Sequence, residues 1–479
     1  MPESFPLLVP GAATRGKPLE VYAPFDGAPI AVCETADSQA AEIALETAAG
    51  LFADRRRWLP LEQRLAILQK LIELMKGQAE FLAVEAAREG GKPLIDSRVE
   101  TTRAMDSVRL CIDTMRTQSG REIPMNLNAA SRNRFAVTRL EPAGVVVAVS
   151  AFNHPLNLIA HQVAPAVAAG CPVIIKPAED TPLSCLRFVQ MLRDAGLPPE
   201  WCQAVIAEDL AVAQQMVTDP RVAFFSFIGS ARVGWMLRSM LAPGTRCALE
   251  HGGVAPVIVA EDADLDSAVP LIAKGGLYHA GQVCVSVQRV FVHESIARSF
   301  AERLVAQAKK MKIGDPTLAD TEIGPLIRKG EVSRVHEWVA EAVAEGTECL
   351  CGNERLSDSC FTATVLYDPP AHTRVSTQEI FGPVIAVYPY SDINEAIARA
   401  NALPFAFQSA VFTRRIDTAL HCYAQLQASA VMVNDHTAFR VDWMPFAGLK
   451  SSGLGVGGIP GTLRDMQIEK MLVIKSDRI

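Results

Sequence analysis

The chain has 479 residues, 49% hydrophobic and 21% charged, with a net charge of −7. That length implies two or three domains, and that balance excludes intrinsic disorder. The only basic cluster is Arg55-Arg56-Arg57, which excludes nucleic acid as a partner, and the longest apolar run, 145–152, is too short to span a bilayer.

The opening run MPESFPLLVPGAATRGKP lacks the charged start and apolar stretch of a signal peptide, so a cytoplasmic protein with no membrane association is expected. Eleven scattered cysteines without a C-x-x-C pair indicate neither a disulfide framework nor a zinc site. No H-E-x-x-H group occurs among the nine histidines, and no metal is expected.

Taken in chain order, 40–53 and 60–88 carry apolar residues at helical spacing, in the second stretch at Leu61, Leu65, Leu68, Ile72 and Met75. Pro60 suits a first turn, and Gly90-Gly91 ends the run. From about residue 140 short apolar runs alternate with helical ones. Strands are expected at 145–149, 173–175, 224–228 and 257–260, with helices between them such as 185–195. This alternation implies a parallel sheet with helices on both faces. A second alternating region has strands at 290–293, 385–389 and 430–434 and helices at 296–311 and 330–344. Two α/β domains follow, with a cleft between them as the default site. The terminal run 471–475 is strand-like, and its backbone needs a partner, expected across a subunit boundary.

Four places carry candidate chemistry. Cys284 follows Gly281-Gln282 in a tight loop, where a thiolate can be exposed, although a lone cysteine is usually a small buried hydrophobe. Glu250 sits beside Gly252-Gly253 in apolar company, where carboxylates are paired, neutral or functional. In FFSFIGSARVG a strand runs through Gly229-Ser230 towards Gly234 and a helix, a turn able to hold a pyrophosphate. Asn153, and the pair Lys176 and Glu179, stand past two neighbouring strand ends, where ligands bind in open parallel sheets.

In this order FNHPLN, KPAE, IGSARVG, LEHGG, GQVC, EIFGPV and PFAGLKSSGLG resemble the aldehyde dehydrogenase superfamily, from about residue 20 to the C-terminus. The runs AFNHPLNLIAHQVAPAVAAG and CVSVQRVFV look closest to members acting on lactaldehyde, phosphonoacetaldehyde and semialdehydes. The resemblance implies an α/β fold of three parts: a Rossmann-type dinucleotide-binding domain over 1–122 and 141–252, an α/β catalytic domain over 253–463, and a small β oligomerisation arm over 123–140 and 464–479. It implies a homodimer or homotetramer.

By the same resemblance Cys284 is the nucleophile, Asn153 and the Cys284 N–H hold the oxyanion, and Glu250 is the base that activates water. Lys176 and Glu179 hold the adenine ribose, which favours NAD and leaves NADP possible. Gly229, Ser230 and Gly234 serve the pyrophosphate, and Phe152, Glu379 and Phe381 the nicotinamide end. Asn434 and the glycines of PFAGLKSSG support the architecture. The substrate, a small aldehyde with a polar or anionic tail, is expected to meet His154, Arg103, His161, Val283 and Trp443. Arg103 lies in a helix expected over 100–115, where pairing with Asp106 is the competing reading.

The chain departs from the family pattern at His251, usually leucine, at Gln162, often lysine, and at Ala447, commonly glycine. Gln162 bears on proton release, and His251 is the next candidate base after Glu250. Two alternatives stand beside hydrolytic oxidation: transfer of the acyl group to coenzyme A, and a catalytically silent protein of the same fold.

Overall fold

The computed structural model describes residues 2–478. Strands β1 (Glu3–Phe5), β2 (Leu19–Tyr22) and β3 (Pro29–Cys33) form a small opening sheet. Four helices follow: α1 (Ser38–Ala53), α2 (Leu61–Gly77), α3 (Ala79–Gly90) and α4 (Leu94–Thr117). The single stretch expected over 60–88 is therefore two helices. The chain breaks at Gln78 (φ −122°, ψ 15°), directly after Gly77, whose backbone gives up most entropy in a helix. Helix α4 also exceeds the 100–115 expected, because its first turn, from Leu94, continues the buried face.

Two strands, β4 (Glu122–Ile123) and β5 (Arg134–Pro142), lead into the first large sheet. That sheet alternates β6 (Val145–Val149), α5 (Asn157–Ala169), β7 (Val173–Lys176), α6 (Leu183–Asp194), β8 (Cys202–Ala204), α7 (Leu210–Thr218), β9 (Val222–Ile228), α8 (Ala231–Ser239) and β10 (Arg246–Glu250). Val-rich β6 is buried on both faces, as a central parallel strand requires. From β6 the chain adds β7 and β8 on one side, then β9 and β10 on the other. Val149 stands opposite both Lys176 and Phe227, so three strands end level at one edge. Such a reversal of strand order leaves a crevice at the carboxyl ends.

The second sheet runs through β11 (Pro256–Val259), α9 (Leu265–Leu277), β12 (Arg289–His293), α10 (Glu294–Ala308), α11 (Lys329–Ala344), β13 (Glu348–Cys351), β14 (Thr364–Tyr367), α12 (Arg374–Thr377), β15 (Val384–Tyr390), α13 (Ile393–Asn401), β16 (Phe405–Ala406), β17 (Gln408–Phe412), α14 (Ile416–Gln425) and β18 (Ala430–Val433). Its order is β13-β14-β15-β12-β11-β17-β18, parallel except for β13, while β16 pairs separately with β19 (Leu449–Lys450). The chain then returns to the first sheet. There β20 (Gly453–Leu454) pairs with β10, and α15 (Ile459–Asp465) packs on α4 and α5.

The last strand, β21 (Gln467–Lys475), pairs antiparallel with β5 along its whole length, Gln467 opposite Pro142 and Lys475 opposite Arg134. The partner expected in another subunit is thus supplied by the same chain, because α15 delivers β21 alongside β5. Only its outer edge is open, and Ile468, Met471, Leu472, Val473 and Ile474 remain exposed. Among the described residues no helix is long and apolar enough to cross a membrane.

Candidate active site

Asn153 and His154 lie between β6 and α5, and the start of α5 is fixed from α4. Glu100 Oε1 accepts the N–H groups of Leu156 and Asn157 (2.9 and 3.0 Å), meeting donors that a helix start leaves open. Lys92, 1% exposed, balances that buried carboxylate at 2.5 Å. Asn153 is buried, and its Nδ2 donates to the Gln282 carbonyl at 2.9 Å. An amide nitrogen carries two protons, so one fixes the side chain and the second stays free.

The Cys284 loop is held by Gln282. The Gln282 side chain donates to the carbonyls of His279 (3.2 Å) and Pro325 (3.1 Å) and accepts from the Ile327 N–H (2.9 Å). His279, Ala280 and Gly281 all adopt left-handed backbone (φ 50°, 53° and 69°), a strained entry for the first two. Cys284 is half-buried against Val283, Val285, Phe407 and Phe446. Burial pushes its thiol up to about 12; the Arg440 guanidinium opposes this, and Glu379 and Glu250 reinforce it.

Glu250 ends β10, a strand not anticipated because its alternating, half-exposed Arg-Cys-Ala-Leu-Glu has no long apolar run. Among the described residues no donor reaches its carboxyl. The group lies against Gly457, where a Cβ would come within 2.3 Å of Oε1. Burial raises its pKa, and Arg440 pulls the other way. Across the cleft, Glu379 accepts from the Gly253 N–H at 3.2 Å, and burial pushes it up to about 8. A space of about 200 Å³ is lined there by Gly253, Val283, Gln288, Glu379 and Phe381. Phe381 (φ 48°) meets Phe152 edge to face, centroids 5.9 Å apart, so the two sheets approach at this point.

At the carboxyl edge of the first sheet, Lys176 donates to Glu179 at 2.5 Å. Burial pushes the Glu179 carboxyl up, but the lysine outweighs it and holds the group low. Ser230 is exposed at the start of α8 and makes no capping bond with its own side chain. Its hydroxyl and the open N–H groups of that turn, with Lys176 and Glu179 two strands away, fit a dinucleotide.

The expected tail-binding residues form a network that sequence reasoning did not find. Arg103 does not pair with Asp106, which binds Arg109 instead. Arg103 donates through Nε and Nη2 to both oxygens of Asp442 (3.0 and 2.6 Å). His161 Nε2 meets the same carboxylate at 2.8 Å. Since a carboxylate only accepts, Nε2 carries the proton, and Nδ1 faces Arg440 Nη2 at 3.5 Å. Burial lowers the His161 pKa more than Asp442 raises it, so the ring is neutral. Arg440, 10% exposed at its side chain, reaches Asp442 only at 3.8 Å. Its guanidinium carbon lies 3.4 Å from the centroid of Phe446. Two guanidinium groups therefore share one carboxylate beside Cys284 and Glu250. His154 stands near, T-shaped to His279, centroids 6.3 Å apart, its pKa depressed by burial. Val283 packs with the Cys284 cluster, and Trp443 projects to solvent.

Two of the three departures, Gln162 and His251, turn their side chains away from the reacting groups. Gln162 donates to Val149 O (3.1 Å) and Ser226 O (3.2 Å), tying β6 to β9, and does not touch Glu250. The His251 ring is turned to Gly229.

Comparison with known proteins places this geometry in a family. The 3-sulfolactaldehyde dehydrogenase of Priestia megaterium is 35% identical over 412 residues, 86% of each chain. Aldehyde dehydrogenase 21 of Physcomitrella patens, solved in complex with the reaction product succinate, superimposes with a TM-score of 0.95 at 33% identity, covering 99% of both chains. The glyceraldehyde-3-phosphate dehydrogenase of Methanocaldococcus jannaschii, solved with NADP, gives 0.91 at 33% identity, over 97% of this chain and all of the other. The profile of the aldehyde dehydrogenase family matches residues 11–472, and the chain belongs to that family as an NAD(P)-dependent aldehyde dehydrogenase.

Proposed function

We propose that the enzyme oxidises a short, anionic aldehyde to its carboxylic acid, with water as the acyl acceptor and NAD as the preferred cofactor. The observation that carries the substrate class is the unbalanced charge. Asp442 is the one salt-bridge partner that Arg103 and Arg440 have among the described residues, the Glu250 carboxyl acts on Arg440 only through its charge, His161 is neutral, and Arg440 is nearly enclosed. An enclosed cation without a full partner is costly, and a carboxylate or sulfonate tail would complete it.

In this reading Glu250 or a water takes the Cys284 proton, and the thiolate attacks the carbonyl carbon. The oxyanion is met by the free Asn153 N–H and the Cys284 backbone N–H, where each donor contributes roughly 10²–10³ in rate. NAD, held by the residues named below, would supply the hydride acceptor, and the oxidised carbon would remain on Cys284 as a thioester. Glu250, with no donor on its carboxyl among the described residues, then draws a proton from water, which attacks the thioester and releases the acid. Lys176 and Glu179 hold the adenine ribose, Gly229, Ser230 and Gly234 frame the pyrophosphate turn, and Glu379, Phe152 and Phe381 enclose the nicotinamide end. An ionised Glu179 repels a 2′-phosphate, which favours NAD over NADP.

The test is a panel of succinic semialdehyde, lactaldehyde, phosphonoacetaldehyde, hexanal and benzaldehyde, with NAD or NADP, with and without coenzyme A. Efficiency is expected to be highest for succinic semialdehyde with NAD, independent of coenzyme A. In Arg440→Gln, efficiency for the anionic aldehyde relative to hexanal should fall about ten- to hundredfold, the effect of one charge-assisted contact. Arg103→Ala should narrow the same ratio, because it too removes the surplus charge. The acid limb of the pH profile should also move up in Arg440→Gln, since the cation that favours ionised Cys284 and Glu250 is gone. Preference for hexanal or benzaldehyde, unchanged in both variants, would contradict the tail reading. Dependence on coenzyme A would establish acyl transfer, and no turnover at all a silent scaffold.

A second copy of the chain is proposed to cover the open edges. The outer edge of β21 exposes five apolar side chains, β18 ends the second sheet with Val433 exposed, and α14 presents Ile416, Leu420 and Tyr423 on one face. Light scattering should give at least twice 51.7 kDa, and Val473→Lys should reduce it; a wild-type monomer at micromolar concentration would refute the assembly.

A further inference from the structure

His251 follows Glu250 directly and is 2% exposed. Its backbone N–H donates to the Ser452 carbonyl at 3.0 Å. The ring enters a slot between β9 and α8, edge-on to Phe227 (5.6 Å between centroids) and Trp235 (5.7 Å). It rests on Gly234, where a Cβ would come within 2.0 Å of Cε1. No leucine-shaped need for bulk explains what the ring does next: Nδ1 lies 2.9 Å from the Gly229 carbonyl oxygen. A carbonyl only accepts, so Nδ1 carries the proton. Nε2 is then a buried lone pair, and it has no partner among the described residues.

The N–H of the same glycine donates to the Glu250 carbonyl at 3.0 Å. Residues 250 and 251 therefore hold both polar groups of Gly229. The next residue is Ser230, whose uncapped turn opens α8. We propose that His251 is a positioning residue: it fixes the Gly229–Ser230 turn for the dinucleotide pyrophosphate and couples that turn to Glu250. The proposal rests on the cofactor reading given above. A turn already held in its binding conformation loses less freedom when the anion arrives. Leucine would fill the slot but could not donate to Gly229, so the hydrogen bond is separable from the packing.

Three substitutions at one position make that separation, with NAD affinity measured by calorimetry on the full-length enzyme. His251→Leu should raise the Kd for NAD roughly three- to tenfold, the effect of one neutral hydrogen bond, with little change in the KM for aldehyde. His251→Asn places an amide nitrogen near the Nδ1 position and should restore the Kd to within about twofold. His251→Gln places it near Nε2 and should not. A wild-type Kd in His251→Leu, or equal rescue by asparagine and glutamine, would overturn the proposal. Lys176→Ala is the control for the underlying reading. If it leaves the Kd unchanged, the cofactor assignment fails. If it weakens NAD while His251→Leu does not, only the role of His251 fails.

Discussion

Replacing Cys284 with alanine should lower aldehyde oxidation by about 10⁴-fold or more, the scale of losing a covalent nucleophile, while NAD still binds. The two halves of this result have separate physical grounds. Cys284 is the one cysteine among the described residues packed in the cluster of Val283, Val285, Phe407 and Phe446, and the Glu250 carboxyl is near enough for its charge to act on the thiol. The groups assigned to the adenine ribose and pyrophosphate, by contrast, stand at the edge of the first sheet at Lys176, Glu179 and Ser230. The substitution removes one sulfur from a cluster that keeps Val283, Val285, Phe407 and Phe446, so the loop held by Gln282 should persist. Calorimetric titration with NAD checks the fold of the site, and NADH absorbance checks the chemistry. Retention of more than a trace of oxidation, with cofactor binding intact, would remove Cys284 from the mechanism.

What the sequence disclosed, and what it withheld, divides by the range of the interactions involved. The run of valines over 145–149 declares a strand buried on both faces, and β6 has those bounds. Alternation of such runs with helical spacing gives the parallel sheets. Local turn chemistry makes Gly229-Ser230 visible before any coordinates. The Arg103–Asp442–His161 network spans sequence separations of 339 and 281 residues, and no periodicity encodes such a pairing. A signal did exist in FRVDWMPF, where Arg440 and Asp442 sit among Phe439, Val441, Trp443 and Met444; charges in such company are paired or functional. The break at Gln78 was hidden because apolar spacing continues through it. Likewise β21 declares its need for a partner, but only the path of α15 determines that β5 meets it.

Glu250→Gln should separate hydride transfer from hydrolysis. The expected record is a burst of NADH close to one per site, then turnover slowed by about 10²–10⁴-fold, as for loss of a general base. Glutamine has nearly the same shape, and among the described residues the Glu250 carboxyl accepts no hydrogen bond that the amide would break; its packing against Gly457 is retained. What changes is the ability to take a proton. In the wild type, burial raises the carboxyl pKa and Arg440 restrains the rise, so the group is a stronger base than a solvated glutamate. Below that pKa it is protonated and cannot activate water, so the wild-type steady-state rate should fall with falling pH; the slow phase of Glu250→Gln should lack that limb. Acid-quenched samples taken after the burst should carry acyl groups on Cys284, and hydroxylamine, which needs no base, should release them. An unchanged steady-state rate would remove Glu250 from the reaction. His251 would not replace it, because Nδ1 is bound to Gly229 and Nε2 is buried beside Gly234. Glu379, pushed up to about 8 by burial and near enough for its charge to act on Cys284, would then be the base to test.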